Sequence, residues 1–354
     1  PTLRLTDWLA LGWLTVSLLS AATAWQWRWT PSGFWWLVLG PLLFYTLGRT
    51  VADTAPRRAW AVSGLAGGGI LAALIGLALW WGGEGTAVDG VRRLVGLTFS
   101  PNQTALLLVR ALFVCAGLGI ATPDRCADRD QRSDTFSYSA HLSGVGVVLI
   151  ALAILLTGSR GALLLGVPAG AALFLLLQPG IQQRLTRRPW LVAVTIVVLL
   201  AGAGLLFGQR LLNSATVTQR LHIWQGAWEL WQAYPWLGAG PGGFFWRYPA
   251  LMTAAAANEP NLLHPHNIWL EFVTGWGVAG LVWVIALCSW LIRRITGRLG
   301  SVSGVELGLL AGLVAGIAHG QVDAFGALPE LAAWNWLVIG LLSNNCRSDW
   351  QSDP

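Results

Sequence analysis

Two imidazoles separated by one proline, His264-Pro265-His266, stand directly before Asn267 and a membrane-length apolar run. They close the one long polar interruption between apolar segments, residues 209–266, which places both at the mouth of a span. An imidazole at a membrane surface can accept a proton from a hydroxyl, and Asn267 or Glu271 one turn on could fix its tautomer. A purely structural histidine pair would have the same spelling. Upstream, Thr157-Gly-Ser-Arg160-Gly-Ala162 breaks two apolar runs. A guanidinium in such a glycine-flanked turn stays charged at any physiological pH and donates paired hydrogen bonds to a phosphate, although it could equally snorkel to headgroups. Arg220 and His222 lie near the start of the stretch from Ser214 to Tyr234, where Leu221, Trp224, Trp228 and Trp231 recur at three- and four-residue spacing. That pattern predicts a helix lying in the membrane interface. The turn that follows contains Gly238, Gly240, Gly242 and Gly243, which is weak evidence for phosphate binding because any tight turn uses the same residues. A metal reading would recruit His222, His264 and His266, but two histidines across one proline match no common ligand spacing.

The elements that must position these groups are membrane helices. Hydrophobic residues make up 55% of the 354-residue chain and charged residues only 11%, which identifies a polytopic membrane protein. Ten apolar runs approach bilayer length: Asp7–Ala24, Gly33–Gly48, Ala59–Trp81, Gln103–Ala121, Phe136–Gly158, Ala162–Leu177, Trp190–Phe207, Asn267–Ile292, Val305–Ala318 and Leu331–Leu342. All the basic residues are arginines, and most of them (among them Arg4, Arg49, Arg57, Arg58, Arg187, Arg188, Arg293 and Arg294) fall on one side of a ten-span arrangement. The positive-inside rule makes that side cytoplasmic, with both termini on it and residues 209–266 outside. The net charge of +6 therefore reflects topology and not nucleic-acid binding. Arg28, Arg92, Arg93, Arg110, Arg160, Arg210, Arg220 and Arg247 lie outside or within spans, where each needs a reason of its own. Cys115 and Cys288 sit in spans and no Cys-x-x-Cys occurs, so neither a disulfide framework nor a zinc site is expected. The chain begins at Pro1, and its first apolar run is too long and too poorly bounded for a cleaved signal peptide, which reads as a trimmed or partial N-terminus. The runs are uniform and give a single polytopic domain over residues 1–354.

In this order, Thr157-Gly-Ser-Arg160-Gly-Ala162, Arg220-x-x-x-Trp224, Pro235-x-x-Gly238-x-Gly240-x-x-x-Phe244 and His266-Asn267-x-x-Leu270-x-x-x-x-Gly275-x-Gly277-x-x-Gly280-Leu281 resemble the O-antigen ligase and O-antigen polymerase family of bacterial envelope glycosyltransferases. The likeness covers a family core of residues 136–290. Phe99-Ser-Pro-Asn-Gln103 upstream, and His319-Gly-Gln-Val-Asp323 with Pro329 downstream, look like further outer loops of that family. The resemblance implies an all-α, GT-C-like membrane fold of ten to twelve spans with a periplasmic catalytic loop in the bacterial inner membrane. It implies a metal-independent, cofactor-free transferase whose donor is a glycan on undecaprenyl pyrophosphate and whose acceptor is a glycan, lipid or protein hydroxyl. By motif position, Arg160 and Arg220 would hold the pyrophosphate and His266 would be the general base. His264, His222, Asn267, Glu271, His319 and Asp323 would shape the loop or meet the acceptor. Arg110, inside a span, would pair with Glu271 or line the donor path. The rival reading is an inorganic-carbon (bicarbonate) or other anion transporter, for which a cationic pocket would serve, but no pair of broken helices or inverted repeat is visible in the sequence.

Overall fold

A computed structural model of the chain describes residues 3–88, 90–120, 135–178, 214–257, 262–298 and 302–344. The apolar run Trp190–Phe207 lies outside the described residues; each of the other runs is helical. Among the described helices four are long and apolar enough to cross a membrane: Leu5–Thr23, Pro56–Trp81, Pro101–Gly119 and Ile268–Thr296. The chain divides into two compact units, one built from Pro1–Leu42, Pro179–Gly297 and Gly320–Ala332, the other from Leu43–Gln178, Arg298–His319 and Ala333–Pro354.

The first unit is organised around the packing of α1 (Leu5–Thr23) on a long helix, Ile268–Thr296. Membrane lipid is as apolar as leucine, so tight fit and hydrogen bonds must hold two such helices together. Both are present. Trp13 is buried between Trp276 and Trp283, with each ring centroid 4.5 Å away. The indole of Trp276 donates to Ser17 Oγ at 3.0 Å, and that of Trp283 donates to the Leu9 carbonyl at 2.8 Å. After α1 come α2 (Thr30–Phe34) and a π-helical turn, Trp35–Leu39.

The second unit begins with α3 (Gly40–Thr50) and α4 (Ala55–Trp81). A small antiparallel hairpin follows, β1 (Thr86–Val88) paired with β2 (Val91–Arg93), which an all-helical reading omits. Its signal is present in the sequence as Asp89-Gly90, the dipeptide of a two-residue hairpin turn, and Gly90 has φ +74°. Next are α5 (Pro101–Gly119), capped by Ser100 Oγ on the Gln103 N–H, then α6 (Thr135–Thr157) and α7 (Val167–Leu177), the last preceded by a π-helical turn at Ala162–Gly166. Three helices of the first unit follow: α8 (Ser214–Ala233), the short α9 (Gly243–Arg247) and α10, the Ile268–Thr296 helix. The last helices among the described residues are α11 (Gly304–Gly320) and α12 (Pro329–Ser343).

Helix α11 carries glycine at every fourth position, Gly304, Gly308, Gly312 and Gly316. One face of a helix is thereby bare, and α5 lies against it. A Cβ on Gly308 would stand 2.5 Å from the Phe113 carbonyl, and one on Gly316 would stand 2.7 Å from the Arg110 guanidinium carbon. Gly48 and Gly340 do the same for α3 and α12, each facing the other helix's backbone. Glycine costs a helix up to ~1 kcal/mol against alanine, and close backbone packing offsets that cost.

α8 begins where the indole spacing predicts, and it has a second apolar face that packs inward. Ile223, Ala227 and Leu230 form its core face, packed with Ala239, Phe244 and Tyr248. Leu221 and Trp228 remain exposed, so this helix is apolar on two sides.

Gly308→Ala is expected to lower thermal stability in detergent by about 1–3 kcal/mol, as overpacking against a backbone does. Gly67→Ala, where no atom lies within 4 Å of the added carbon, is its control and is expected to be neutral or mildly stabilising. Equal melting of the two variants would rule out the close approach of α5 and α11.

Candidate functional site

The site of the first unit forms where the chain enters α10. Asn267 caps the helix, its Oδ1 accepting from Trp269 and Leu270 N–H at 3.0 and 3.1 Å, while its Nδ2 donates to the Gln321 carbonyl at 3.1 Å. Glu271, one turn on and buried, accepts from Phe325 and Gly326 N–H at 2.9 and 2.8 Å. Trp269 Nε1 also donates to Gln321 Oε1 at 3.0 Å. These bonds lay residues 321–326 along the first turn of α10, and so bring in Asp323 from 57 residues away in sequence.

Asp323 is 2% exposed, and its Oδ1 lies 3.2 Å from His266 Nδ1 while also accepting from Ala324 N–H. A carboxylate bonded to Nδ1 holds the proton there and leaves the Nε2 lone pair available, the tautomer a general base requires. His266 has φ +53°, the one positive φ of a non-glycine residue among the described residues. Histidine visits this region more readily than most residues, and here its backbone N–H is held by His264 Nδ1 at 3.2 Å. The two rings meet edge to face at 4.4 Å. Because His264 Nδ1 accepts that bond, its own proton belongs on Nε2, which points toward Asp323 Oδ1 at 3.8 Å.

The partner that fixes His266 is thus Asp323, and not Asn267 or Glu271 as proximity in sequence suggests. Asn267 and Glu271 act one step back, holding the segment that carries Asp323. Arg220, half-buried on α8, lies close enough for its charge to act on His264. Burial and then the neighbouring His266 push the His264 pKa down to about 3; Asp323 pulls it upward, and Arg220 adds the smallest push downward. His222 is half-buried on the same helix.

The glycine-rich turn after α8 serves the backbone. Helix α10 is broken at Gly277, whose φ and ψ are 64° and −155°, and the turn docks into the break. Ala239 and Gly240 N–H donate to the Thr274 and Gly275 carbonyls at 2.8 and 3.1 Å, and Val278 N–H donates to the Pro235 carbonyl at 2.8 Å. A Cβ on Gly238 would come within 2.4 Å of the α10 backbone, and one on Gly277 within 2.3 Å of Trp236. Beside this seam is a cavity of about 220 Å³ whose walls include Trp29, Phe245, Trp246, His264 and Glu271.

The second unit holds the remaining predicted residues. Gly158, at φ +57°, turns the chain out of α6; Ser159 follows, and Arg160 is half-buried at the start of the next helix. Ser159 Oγ lies 3.3 Å from Nε2 of His319, and both side chains are buried. Arg93 donates to the Thr157 carbonyl at 2.5 Å and to Asn102 Oδ1 at 2.9 Å, which ties the hairpin and the start of α5 to this turn. Arg110 is fully buried, donates to Asn335 Oδ1 at 3.2 Å and to the Leu106 carbonyl at 2.6 Å, and lies over the Trp334 ring. Three further arginines have aromatic partners of their own: Arg92 lies over Trp80, Arg28 beside Trp27, and Arg247 over Tyr234, to whose hydroxyl it also donates.

One ligand atom each from His264, His266 and Asp323 lies within 4.8 Å of the others, a spacing that could admit a cation. The set differs from the three histidines that spacing alone would recruit. Its atoms are already engaged with one another and with the Ala324 N–H, and the charge of Arg220 acts on the same imidazole.

A family model described as O-antigen ligase matches residues 145–285, which bears out the resemblance carried by the motifs over that stretch. The match supports a glycan-transferring enzyme of the O-antigen ligase type in a multi-pass membrane protein. No curated protein matches the chain.

The lowered His264 pKa has a consequence for stability. An unfolded chain protonates this imidazole near 6.5 and the folded one only near 3, so between those values the unfolded state binds more protons. The contribution is complete above pH 6.5 and is lost as pH falls toward 3, amounting to about 2 kcal/mol between pH 6.5 and 5. Thermal unfolding at pH 7.5 and 5 measures it. His264→Gln should shrink the difference between the two melting temperatures, and an unchanged difference would show that His264 is not held neutral.

Proposed function

We propose that this chain, which carries an O-antigen ligase domain, transfers a glycan from undecaprenyl pyrophosphate to an acceptor hydroxyl on a glycan, lipid or protein at the periplasmic face of the bacterial inner membrane. In this reading the fold is GT-C-like with ten to twelve spans, both termini are cytoplasmic, and residues 209–266 form the periplasmic loop. The observation that carries the proposal is the Asp323–His266 pair, with the His266 Nε2 lone pair available and a fixed guanidinium, Arg220, acting on the same cluster.

His266 Nε2 takes the acceptor hydroxyl's proton as that oxygen attacks the anomeric carbon of the donor sugar. The bond from that carbon to the pyrophosphate oxygen breaks, and undecaprenyl pyrophosphate departs with the electron pair. Arg220 and Arg160 stabilise the charge that develops on the leaving group, a role for which a planar two-donor cation suits phosphate oxygens and no divalent ion is needed. Asp323 steadies the imidazolium. His264 holds the backbone of His266. His222, Asn267, Glu271 and His319 shape the surroundings of donor and acceptor.

The break in α10 at Gly277 is the feature closest to the discontinuous helices of transporters. Its freed carbonyls are taken by Ala239 and Gly240, however, so they are not left open to coordinate an ion. The enzyme reading is the better fit.

His266→Ala should lower transfer from a purified lipid-linked donor by about 10²–10⁴-fold while leaving donor affinity nearly unchanged, as loss of a general base does. A fully active His266→Ala enzyme would end the assignment. Arg220→Lys should be nearly as damaging as Arg220→Ala, because lysine keeps the charge and loses the fork. Activity in EDTA should equal that without it; restoration by an added divalent ion would instead assign a cation to His264, His266 and Asp323.

A further inference from the structure

The cavity beside the site has a composition that the proposed donor chemistry does not use. Aromatic rings are prominent in its walls, with Trp36, Phe245, Trp246 and Trp276 among them. The one formally charged residue among its lining residues is Glu271, and no arginine lines it. A pyrophosphate would meet a carboxylate there with no cation to offset it. The cavity therefore does not suit the leaving group, although it reaches His264, which directly adjoins the proposed base.

Its size and polar groups are those of a neutral ring. About 220 Å³ is below the roughly 300–1,000 Å³ of sites for drug-sized ligands, so it holds one ring and not an oligosaccharide. Trp29 and Trp246 stack at 5.4 Å with planes 15° apart, and Phe245 stands edge-on to Trp246 at 5.1 Å. The apolar C–H face of a pyranose packs on such rings, while its hydroxyls need polar partners at the edge. Ser32, Thr274 and Glu271 supply polar side chains among the same lining residues.

We infer that this cavity is the acceptor subsite, and that it takes a single neutral hexopyranose ring whose attacking hydroxyl is directed past His264 to His266. The inference rests on the transfer reading above and adds to it the class of acceptor. A lipid or protein acceptor would have to present a sugar here.

The test uses the full-length protein in lipid nanodiscs with two probes, a panel of methyl hexopyranosides and farnesyl pyrophosphate. Saturation-transfer NMR should detect at least one hexoside, with the strongest transfer to the protons of one ring face. Ser32→Phe, which adds a ring at the exposed rim, and Trp246→Ala, which removes one aromatic wall, should each weaken hexoside binding at least tenfold and leave farnesyl pyrophosphate binding unchanged. Arg220→Ala should do the reverse. If no hexoside binds, or binding is indifferent to both cavity variants while pyrophosphate binding still depends on Arg220, the acceptor subsite is wrong and the transfer reading stands. If pyrophosphate binding does not depend on Arg220, the transfer reading itself fails. Thermal unfolding of each variant separates lost binding from lost fold.

Discussion

The site depends on a hydrogen-bonded seam between the start of α10 and residues 321–326. Asn267 is used twice, its oxygen as a helix cap and its nitrogen as a tie to Gln321, while Glu271 accepts two backbone N–H groups from the far side of the same segment. Backbone N–H groups in a buried loop must be satisfied, and a carboxylate is the strongest acceptor available to them. The seam therefore solves a folding problem, and the position of Asp323 follows from it. Removing Glu271 would act on His266 without touching it.

Glycine does a different job in each unit. In the second unit, the bare face of α11 lets α5 approach until the Arg110 side chain lies over Gly316, and the buried guanidinium is met there by Asn335 and a backbone carbonyl. In the first unit, glycines at 238 and 277 let an extended segment enter a broken helix and complete its hydrogen bonds. Irregular backbone at membrane depth is tolerated only when protein satisfies it. The motif glycines are thus read more economically as conditions for packing than as a phosphate cradle.

Much of this was legible in the sequence. The apolar runs within the described residues and the helix from Ser214 depend on local composition and spacing, and the structure has helices where they predict them. The pairing of His266 with Asp323 was not legible, because nothing in local spacing joins residues 57 positions apart, and the nearer polar residues were the natural candidates. The inward face of α8 is hard to read for a related reason: the tryptophans dominate its pattern, while small and branched residues at 223, 227 and 230 fit the core. Asp89-Gly90 signals the hairpin, but an apolar chain invites reading as helices throughout.

The arrangement of protons sets a limit on what the cluster can do. Two imidazoles share one carboxylate oxygen under the influence of a guanidinium, so the cluster accommodates a single added positive charge far more readily than two. His264 is the imidazole kept neutral, since it is the more deeply buried of the two and its Nδ1 is committed to the His266 backbone. In the proposed transfer the proton therefore goes to His266, whose Nδ1 faces Asp323. Neutrality at His264 has a second effect, because a protonated ring could no longer accept the bond that holds His266 in its left-handed conformation. The same residue thus keeps the base oriented and keeps a competing charge out of its field, and the proximity of Arg220, which lowers the His264 pKa, reinforces both.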